Sequence, residues 1–347
     1  MRIVIVGATG NLGTAVLRRF WAEKEPPQLV GVARRMPDVV AEPYGGVEWH
    51  RVDIADDASP ARLRDIFTAA DAVIHLAWLL QPNHHQRVLW RTNVLGHRHV
   101  LEAAAEAGVP QVLVASSVGA YSPGPKRGTV DESWPTGGIH TSHYARFKAM
   151  TERYMDRFEA AYPEIVLARI RPGLVMHVEA AAEVKRLFLG PLVPTGWIGR
   201  VPLPPLPLPS TMVSQVVHAS DLADAFARAT YRRAAGAFNI AADPVITPQI
   251  VAGALRSRPL PVRARPIRAV MAMAWRAHLI AADPGWLDLA TELPVMSTRR
   301  ARDVLGWSPA VDGADALREM VRAIASPSAV PASPPLSRDG TWRERVG

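Results

Sequence analysis

A serine pair, a tyrosine and a lysine have the residue types and spacing of an acid/base site. Tyr144 and Lys148 are four residues apart, so on a helix they lie on one face, and Ser116-Ser117 stands upstream. A free tyrosine has a pKa of about 10 and exchanges protons poorly at neutral pH. An ammonium ~4 Å away, at an effective dielectric of ~20, favours the phenolate by roughly 4 kcal/mol. The pattern therefore predicts a lysine-tuned tyrosine, although this spacing also arises by chance.

The start of the chain has the pattern of a dinucleotide-binding loop. Residues 3–6 form a continuous apolar run, typical of a strand buried on both faces, and a helical pattern follows. The glycines between them allow a tight turn and a close approach of the backbone to a pyrophosphate, and the helix start offers N–H groups to the anion. The spacing differs from G-x-G-x-x-G, so the strand-turn-helix context carries this prediction. The predicted cofactor contacts here are Gly7, Thr9, Gly10, Asn11, Leu12 and Gly13.

The ends of the following strands supply further candidate contacts. A strand over 28–33 is followed by Arg34-Arg35, at a position where chains that bind NAD usually carry Asp or Glu. Arginine suits a 2′-phosphate, so we predict NADP as the cofactor and keep NAD, with two solvated arginines, as the alternative. Asp53 follows a strand over 47–52 and is a candidate acceptor for the adenine amino group. At the end of a strand over 72–76, Leu76 and Ala77 are expected beneath the cofactor.

The alternation of strands and helices predicts an α/β fold, a doubly wound parallel sheet (Rossmann-like) with a smaller, mostly helical substrate lobe. Further strands are expected at 111–115, which ends at Ser116-Ser117, and at 165–170, 213–218 and 237–241. Helices are expected at 84–107, from about His143, and at 247–257, 266–281, 298–305 and 314–325. We expect a dinucleotide-binding core at 1–173 and 212–243 and a substrate lobe at 174–211 and 244–325.

Two proline-rich stretches interrupt this pattern. Prolines between residues 189 and 210 disfavour helix and central strand, so an apolar, stiff loop is predicted there, closing over the substrate pocket. The Pro/Ser-rich tail at 326–347 has a composition typical of disorder.

The composition of the chain excludes several classes of protein. Among the 347 residues, 48% are hydrophobic and 21% charged, which is typical of a globular protein with a sizeable core. The absence of cysteine excludes disulfides and thiolate chemistry. Met1-Arg2 leads directly into an apolar strand, so no signal peptide and a cytoplasmic protein are expected. No apolar run of 18 residues lacks a charge or several prolines, so neither a membrane span nor a membrane partner is expected.

The net charge of +8 raises the question of a nucleic-acid partner. The arginines are spread along the chain among Asp and Glu, and no basic run alternates with aromatic residues, so no nucleic acid is expected. The expected partner is a small-molecule substrate, and a homodimer is left open. The histidine pairs His84/His85 and His97/His99 do not share a helix face within each pair and lack a carboxylate cluster, so surface histidines are predicted rather than a metal site.

Taken in order over about residues 1–325, these motifs resemble the extended short-chain dehydrogenase/reductase family, the NAD(P)-dependent epimerases and dehydratases. The resemblance rests on the glycine loop, the Asp53 position, Ser116-Ser117 with Tyr121, and Tyr144 with Lys148. It rests also on six short motifs: His75-Leu76-Ala77, Thr92-Asn93-Val94, Arg171-Pro172-Gly173, Val217-His218-Ala219-Ser220-Asp221-Leu222-Ala223, Phe238-Asn239-Ile240 and Leu305-Gly306-Trp307-Ser308-Pro309.

The resemblance implies a role for each matching residue. Ser117 would hold the substrate oxygen, Tyr144 would exchange the proton, and Lys148 would grip the nicotinamide ribose and lower the tyrosine pKa. Asp221 and the Trp307 segment would be structural. The further cofactor contacts that it implies are Ile54, Asn93, Ala115, Pro172 and Gly173.

Departures from the family pattern narrow the chemistry. Dehydratases carry an Asp-Glu pair where this chain has Val118-Gly119, so elimination of water lacks a catalyst. Sugar-nucleotide epimerases usually place an asparagine at the position of Leu174 and often an arginine at that of Ser214, which weakens the case for a diphosphate ligand.

The leading prediction is therefore an NAD(P)-dependent oxidoreductase that transfers a hydride between a nicotinamide and a ketone or alcohol of an apolar small molecule. A sugar-nucleotide epimerase is the alternative, and a non-catalytic dinucleotide sensor is the third reading.

Overall fold

The computed structural model describes residues 1–81, 84–185, 198, 201–325 and 330–336. The strands are β1 (Arg2–Val6), β2 (Gln28–Ala33), β3 (Glu48–Arg51), β4 (Ala72–His75), β5 (Gln111–Ala115), β6 (Val166–Pro172), β7 (Leu174–Met176), β8 (Leu206–Pro209), β9 (Ser214–His218), β10 (Gly236–Ile240), β11 (Ala242–Ile246) and β12 (Pro259–Val262). The helices are α1 (Asn11–Trp21), α2 (Ser59–Phe67), α3 (Gln86–Trp90), α4 (Gly96–Glu106), α5 (His143–Ala161), α6 (Ala181–Val184), α7 (Ala219–Tyr231), α8 (Pro248–Ala254), α9 (Ala264–Arg276), α10 (Gly285–Glu292), α11 (Arg299–Leu305) and α12 (Gly313–Ala325).

The centre of the fold is a seven-stranded sheet in the order β10-β6-β5-β4-β1-β2-β3, with every neighbouring pair parallel. Apolar runs such as Ile3 to Val6 are buried on both faces, because two separate clusters of core side chains cover the sheet. This is the doubly wound, Rossmann-like α/β fold that the sequence predicts. Since all seven strands run the same way, the residues that follow their carboxyl ends meet at one edge.

Two smaller sheets stand beside the central one. Strands β11, β9 and β7 form a three-stranded sheet, and β12 pairs with β8 in parallel. β8 corrects the prediction that the proline-rich stretch 189–210 is loop throughout. Its prolines lie in a strand that has one paired neighbour, where a missing N–H is tolerated on the unpaired side. Residues 186–197, 199 and 200 lie outside the described residues, and so does the prediction made for them.

The helix predicted over 84–107 is present but is not α-helical throughout. The backbone is helical from Gln86 to Glu106 without a gap, and within it Arg91–Leu95 form a π-helical turn between α3 and α4. The tail prediction also needs correction within 330–336, because Leu336 and Ser333 are buried there. Residues 326–329 and 337–347 lie outside the described part of the chain.

The histidine prediction holds at one pair and fails at the other. His84 and His85 are exposed, whereas His97 and His99 are buried. His99 packs under the end of β3, with its ring bonded to the Ile54 carbonyl and the Ser59 hydroxyl. Among the described residues, no group of three His, Asp or Glu side chains could hold a metal ion. No helix in the same part of the chain is both long and apolar enough to span a bilayer.

Candidate active site

A cavity of about 730 Å³ lies along the carboxyl edge of the central sheet. One end is lined by the loop after β1 and the ends of β2 and β3, and the other by Ser117, Tyr144 and Lys148. The predicted cofactor residues that line it are Gly7, Thr9, Gly10, Asn11, Leu12, Gly13, Arg34, Arg35, Asp53, Ile54, Leu76, Ala77, Ala115, Pro172 and Gly173.

The loop after β1 has the close packing that its glycines predict. Gly7 has φ +90°, and a Cβ there would lie 2.7 Å from the Ala77 nitrogen. A Cβ on Gly13 would lie 2.4 Å from the Gly7 carbonyl oxygen. Side chains at these two positions would push the loop away from the sheet, so only glycine lets α1 start directly above the strand end.

Part of the C-terminal tail packs on this loop. The Ser333 hydroxyl donates to the Thr9 carbonyl at 2.7 Å, and the Asp38 N–H donates to the Ala332 carbonyl at 2.9 Å. Pro335 lines the cavity. The segment 330–336 therefore ties together the loop after β1 and the loop after β2, which sequence composition did not indicate.

Asn93 differs from the other predicted cofactor residues because it does not line the cavity. Its side chain is buried and bonds the Leu79 N–H and the Leu79 carbonyl, each at 2.7 Å. In this structure Asn93 holds the backbone that follows β4. That backbone carries Trp78 into the cavity wall.

Tyr144 and Ser117 meet where β5 ends and α5 begins. Ser142 caps α5 by accepting from the Ala145 N–H, and Ser117 caps the short turn after β5 by accepting from Gly119 at 2.9 Å. A Cβ on Gly119 would lie 2.7 Å from a Tyr144 ring carbon, so a side chain at 119 would displace the tyrosine. Burial raises the pKa of Tyr144 to about 12, and its hydrogen bond with Ser117 opposes that rise.

Lys148 is held between a backbone carbonyl and the face of a tryptophan. Its Nζ donates to the Ala115 carbonyl at 2.8 Å and lies 3.5 Å from the Trp78 ring centroid, but 6.0 Å from that of Tyr144. Burial lowers the pKa of Lys148 to about 7, with Glu152 opposing the shift. Because burial raises the pKa of Tyr144 in the described chain, the lowering of that pKa by Lys148 stays a prediction.

Two tryptophans flank the tyrosine. Trp78 meets the Tyr144 ring edge-on at 5.7 Å, and Trp286 packs on it at 5.2 Å. The Trp78 Nε1 is buried and has no hydrogen-bond partner among the described residues. Leu174 and Ser214, at the two positions where the chain departs from sugar-nucleotide enzymes, also line the cavity. The described residues 201–210 do not line it, so the predicted closure by that stretch finds no support there.

A buried ionic cluster lies behind the serine pair, and sequence reasoning missed it. Glu152 accepts from Ser116 at 2.5 Å and from Arg171 at 2.8 Å through both carboxylate oxygens, and Arg169 donates to it at 3.1 Å. Burial would raise the pKa of Glu152, but the hydrogen bonds and charge of Arg171 hold it below its ordinary value. The available signal was the spacing, because Glu152 lies one helical turn beyond Lys148.

The residues predicted to be structural lie away from the cavity. Asp221 accepts from the Val311 N–H at 3.0 Å, and its carbonyl accepts from the buried Trp307 indole at 2.8 Å. These bonds tie the start of α7 to the segment that precedes α12.

The chain is similar to known proteins of one family. The family model of the NAD dependent epimerase/dehydratase family matches residues 3–241. Sterol demethylase protein B of Methylococcus capsulatus is 31% identical over 186 residues, which are 53% of this chain and 52% of that protein. The sterol-4-alpha-carboxylate 3-dehydrogenase, decarboxylating, of Saccharomyces cerevisiae is 23% identical over 180 residues, 49% of this chain and 50% of that protein. The chain spans between 30% and 54% of the length of the curated relatives that it matches.

Among solved structures, the NAD complex of Thermus thermophilus UDP-glucose 4-epimerase is similar, with a TM-score of 0.66 and 22% identity. The match covers 93% of this chain and 99% of that one. At this identity the likeness concerns the fold.

Proposed function

The chain belongs to the NAD-dependent epimerase/dehydratase family, and from that premise we propose that it is an oxidoreductase acting on a ketone or alcohol of an apolar small molecule. The observation that carries the proposal is the convergence of Ser117, Tyr144 and Lys148 on one wall of the cavity that also holds the glycine loop. When bound, a nicotinamide cofactor supplies or accepts the hydride.

The proposed roles follow from the positions of the three side chains. The Ser117 hydroxyl holds the substrate oxygen beside the Tyr144 phenol, which exchanges the proton with that oxygen. With a pKa of about 12, Tyr144 is a phenol at neutral pH, the state that donates a proton as a ketone is reduced. Lys148, with a pKa of about 7, gains or loses a proton near neutrality. It can therefore become charged when the phenol oxygen of Tyr144 becomes negative.

An apolar substrate fits the cavity wall next to these groups. Trp78, Trp286 and Leu174 line that end, and Ser214 provides no cation for a diphosphate. The sterol names of two relatives point in the same direction. We propose a substrate of ring or chain hydrocarbon character that carries one ketone or hydroxyl.

The proposed cofactor is NADP, with NAD as the alternative. Arg34 and Arg35 line the cavity at the end of β2, where a carboxylate would favour NAD. Arg34 is paired loosely, with its Nη1 3.8 Å from Asp53. A 2′-phosphate would give the Arg34 guanidinium a stronger partner.

The test is a substrate panel of apolar ketones, apolar alcohols and sugar nucleotides with both cofactors, read by the absorbance of reduced nicotinamide. We expect net cofactor turnover with an apolar substrate. Tyr144→Phe should lower kcat about 10²- to 10⁴-fold and leave cofactor affinity unchanged, because one proton-transfer group is lost. Tyr231→Phe, on the exposed end of α7, is the matched control and should keep full activity. Activity of Tyr144→Phe within a few-fold of wild type would refute the acid/base assignment.

A sugar-nucleotide epimerase is the second candidate, and the fold shared with UDP-glucose 4-epimerase favours it. An epimerase oxidises and re-reduces the same carbon and shows no net change in reduced nicotinamide. Conversion of a sugar nucleotide without net cofactor turnover would select this candidate. Cofactor binding with no conversion anywhere in the panel would favour a dinucleotide sensor.

A further inference from the structure

Helix α9 has its apolar stripe on the outside. None of its residues is buried, and Val270 and Met273, three residues apart on one face, are 60% and 62% exposed. Pro266, Ala269 and Ala277 continue this exposed stripe. Leu260 in β12 and Leu279 just beyond the helix are 51% and 59% exposed. We call this set, Leu260, Val270, Met273 and Leu279 with the stripe between them, the α9 surface.

The opposite face of α9 is fixed to the body of the protein. Arg268 donates to both carboxylate oxygens of Asp288 on α10, at 2.8 and 3.0 Å. Trp275 stacks on His84 with ring centroids 4.2 Å apart. Because these contacts set the rotation of the helix, the exposure of Val270 and Met273 is built into the packing.

The chain segment that carries the α9 surface has charged side chains of one sign. Between Asp243 and Asp283 the chain has six arginines and no acidic residue: Arg256, Arg258, Arg263, Arg265, Arg268 and Arg276. Arg263, Arg265 and Arg276 are exposed and form no ion pair within the part of the chain that the structure describes. A helix that shows apolar side chains to water and arginines at its flanks has the pattern of an interfacial helix.

We propose that the α9 surface binds the surface of an anionic lipid bilayer. Val270 and Met273 would enter the boundary between headgroups and acyl chains, and the exposed arginines would contact anionic headgroups. Duplex nucleic acid would use the arginines but gives no reason for the exposed apolar stripe. A second copy would bring two arginine-rich surfaces together. No spanning helix is needed for this kind of contact.

The inner face of α9 leads to the cavity through α10. α10 packs on α9 and contributes Trp286 and Leu289 to the cavity wall, and the Gln81 side chain bonds the Ala281 carbonyl at 3.1 Å. A bilayer bound to the α9 surface would be separated from the apolar end of the site by α9 and α10. This last step rests on the proposed function, whereas the binding itself does not.

The experiment is co-sedimentation of the full chain with phosphatidylcholine vesicles, with and without phosphatidylglycerol, at physiological ionic strength. We expect binding to the anionic vesicles alone. Arg265→Gln/Arg276→Gln should weaken it roughly 25-fold, about fivefold per arginine, and Val270→Ser/Met273→Ser about tenfold. The matched controls are Arg153→Gln/Arg157→Gln, exposed on α5, and Val40→Ser, 84% exposed; both should bind like wild type.

Three outcomes would overturn the proposal. The first is no binding to anionic vesicles. The second is a loss on arginine substitution that the apolar pair does not share, or equal competition by duplex DNA, since either would reduce the contact to net charge. The third is a change of oligomeric state in Val270→Ser/Met273→Ser without any vesicle binding. Turnover of a dispersed substrate without vesicles is measured in parallel, so that failure of binding and failure of the proposed function are separated.

Discussion

Among the buried cations near Glu152, Arg171 and Lys148 have opposite surroundings. Arg171 on β6 forms two hydrogen bonds with the Glu152 carboxylate, and the pairing raises its pKa in spite of burial. Lys148 lies one turn from Glu152 on α5, yet bonds a neutral carbonyl and the face of Trp78, and burial lowers its pKa to about 7. A paired charge keeps its proton at every working pH, whereas Lys148 is left able to exchange one. The cation without a carboxylate partner is the one that faces the cavity.

The largest expected effect on stability comes from removing the Glu152 carboxylate that pairs with Arg171. Glu152→Gln removes the carboxylate shared by Ser116, Arg169 and Arg171, and leaves buried guanidinium charge uncompensated. The unfolding free energy should fall by about 3–5 kcal/mol in urea denaturation. Glu159→Gln is the matched control, because Glu159 also binds Arg169 but is partly exposed, and it should cost less than about 1 kcal/mol. Equal losses in the two variants would contradict the special role given to the buried pair.

The second largest effect is a gain in stability, and it comes from substituting Lys148, which has no carboxylate partner in the described part of the chain. The folded-state pKa of Lys148, about 7, lies below its ordinary 10.5, so between these values the unfolded chain binds a proton that the folded chain does not. With respect to Lys148, the free energy of unfolding is therefore highest above pH 10.5, and it decreases as the pH falls to 7. Lys148→Met removes the penalty and should stabilise the cofactor-free protein by about 2–4 kcal/mol at neutral pH, at about 1.4 kcal/mol per pKa unit less the lost contacts.

Thermal denaturation across this pH range measures the effect. The gain in Lys148→Met should shrink as the pH rises toward 10.5, and turnover should be largely lost throughout. Lys24→Met, at an exposed position, should show neither change. A stability difference between Lys148→Met and wild type that does not vary with pH would mean that the pKa of Lys148 is not lowered in the folded protein.

The contrast between Arg171 and Lys148 also shows which features of the fold and the site can be predicted from the sequence. Strand patterns and the glycine loop depend on local periodicity and backbone geometry. Because parallel strand ends share one edge, the place of Ser117 could be predicted from element order, whereas its pairing with Tyr144 was implied by the family resemblance. The position of Lys148 could not be predicted, because the face of Trp78 and the Ala115 carbonyl meet it through packing. Burial of His97 and Ser333, like the turn at Arg91–Leu95, depends on contacts between distant segments that no local pattern encodes.

A third cation stands between the two extremes and gives the smallest expected effect. Arg34 lies 3.8 Å from Asp53 and is partly exposed, so its present pairing is weak. A 2′-phosphate would offer one or two charge-assisted bonds, each contributing roughly 1.5–3 kcal/mol. Arg34→Ala or Arg35→Ala should therefore weaken NADP binding about tenfold or more and change NAD binding little, as measured by titration of both reduced cofactors. Arg51→Ala, at the exposed end of β3 and outside the cavity lining, is the control. If wild type binds the two cofactors equally, or if neither substitution weakens NADP, Arg34 belongs with the solvated surface arginines and the end of β2 does not select the cofactor.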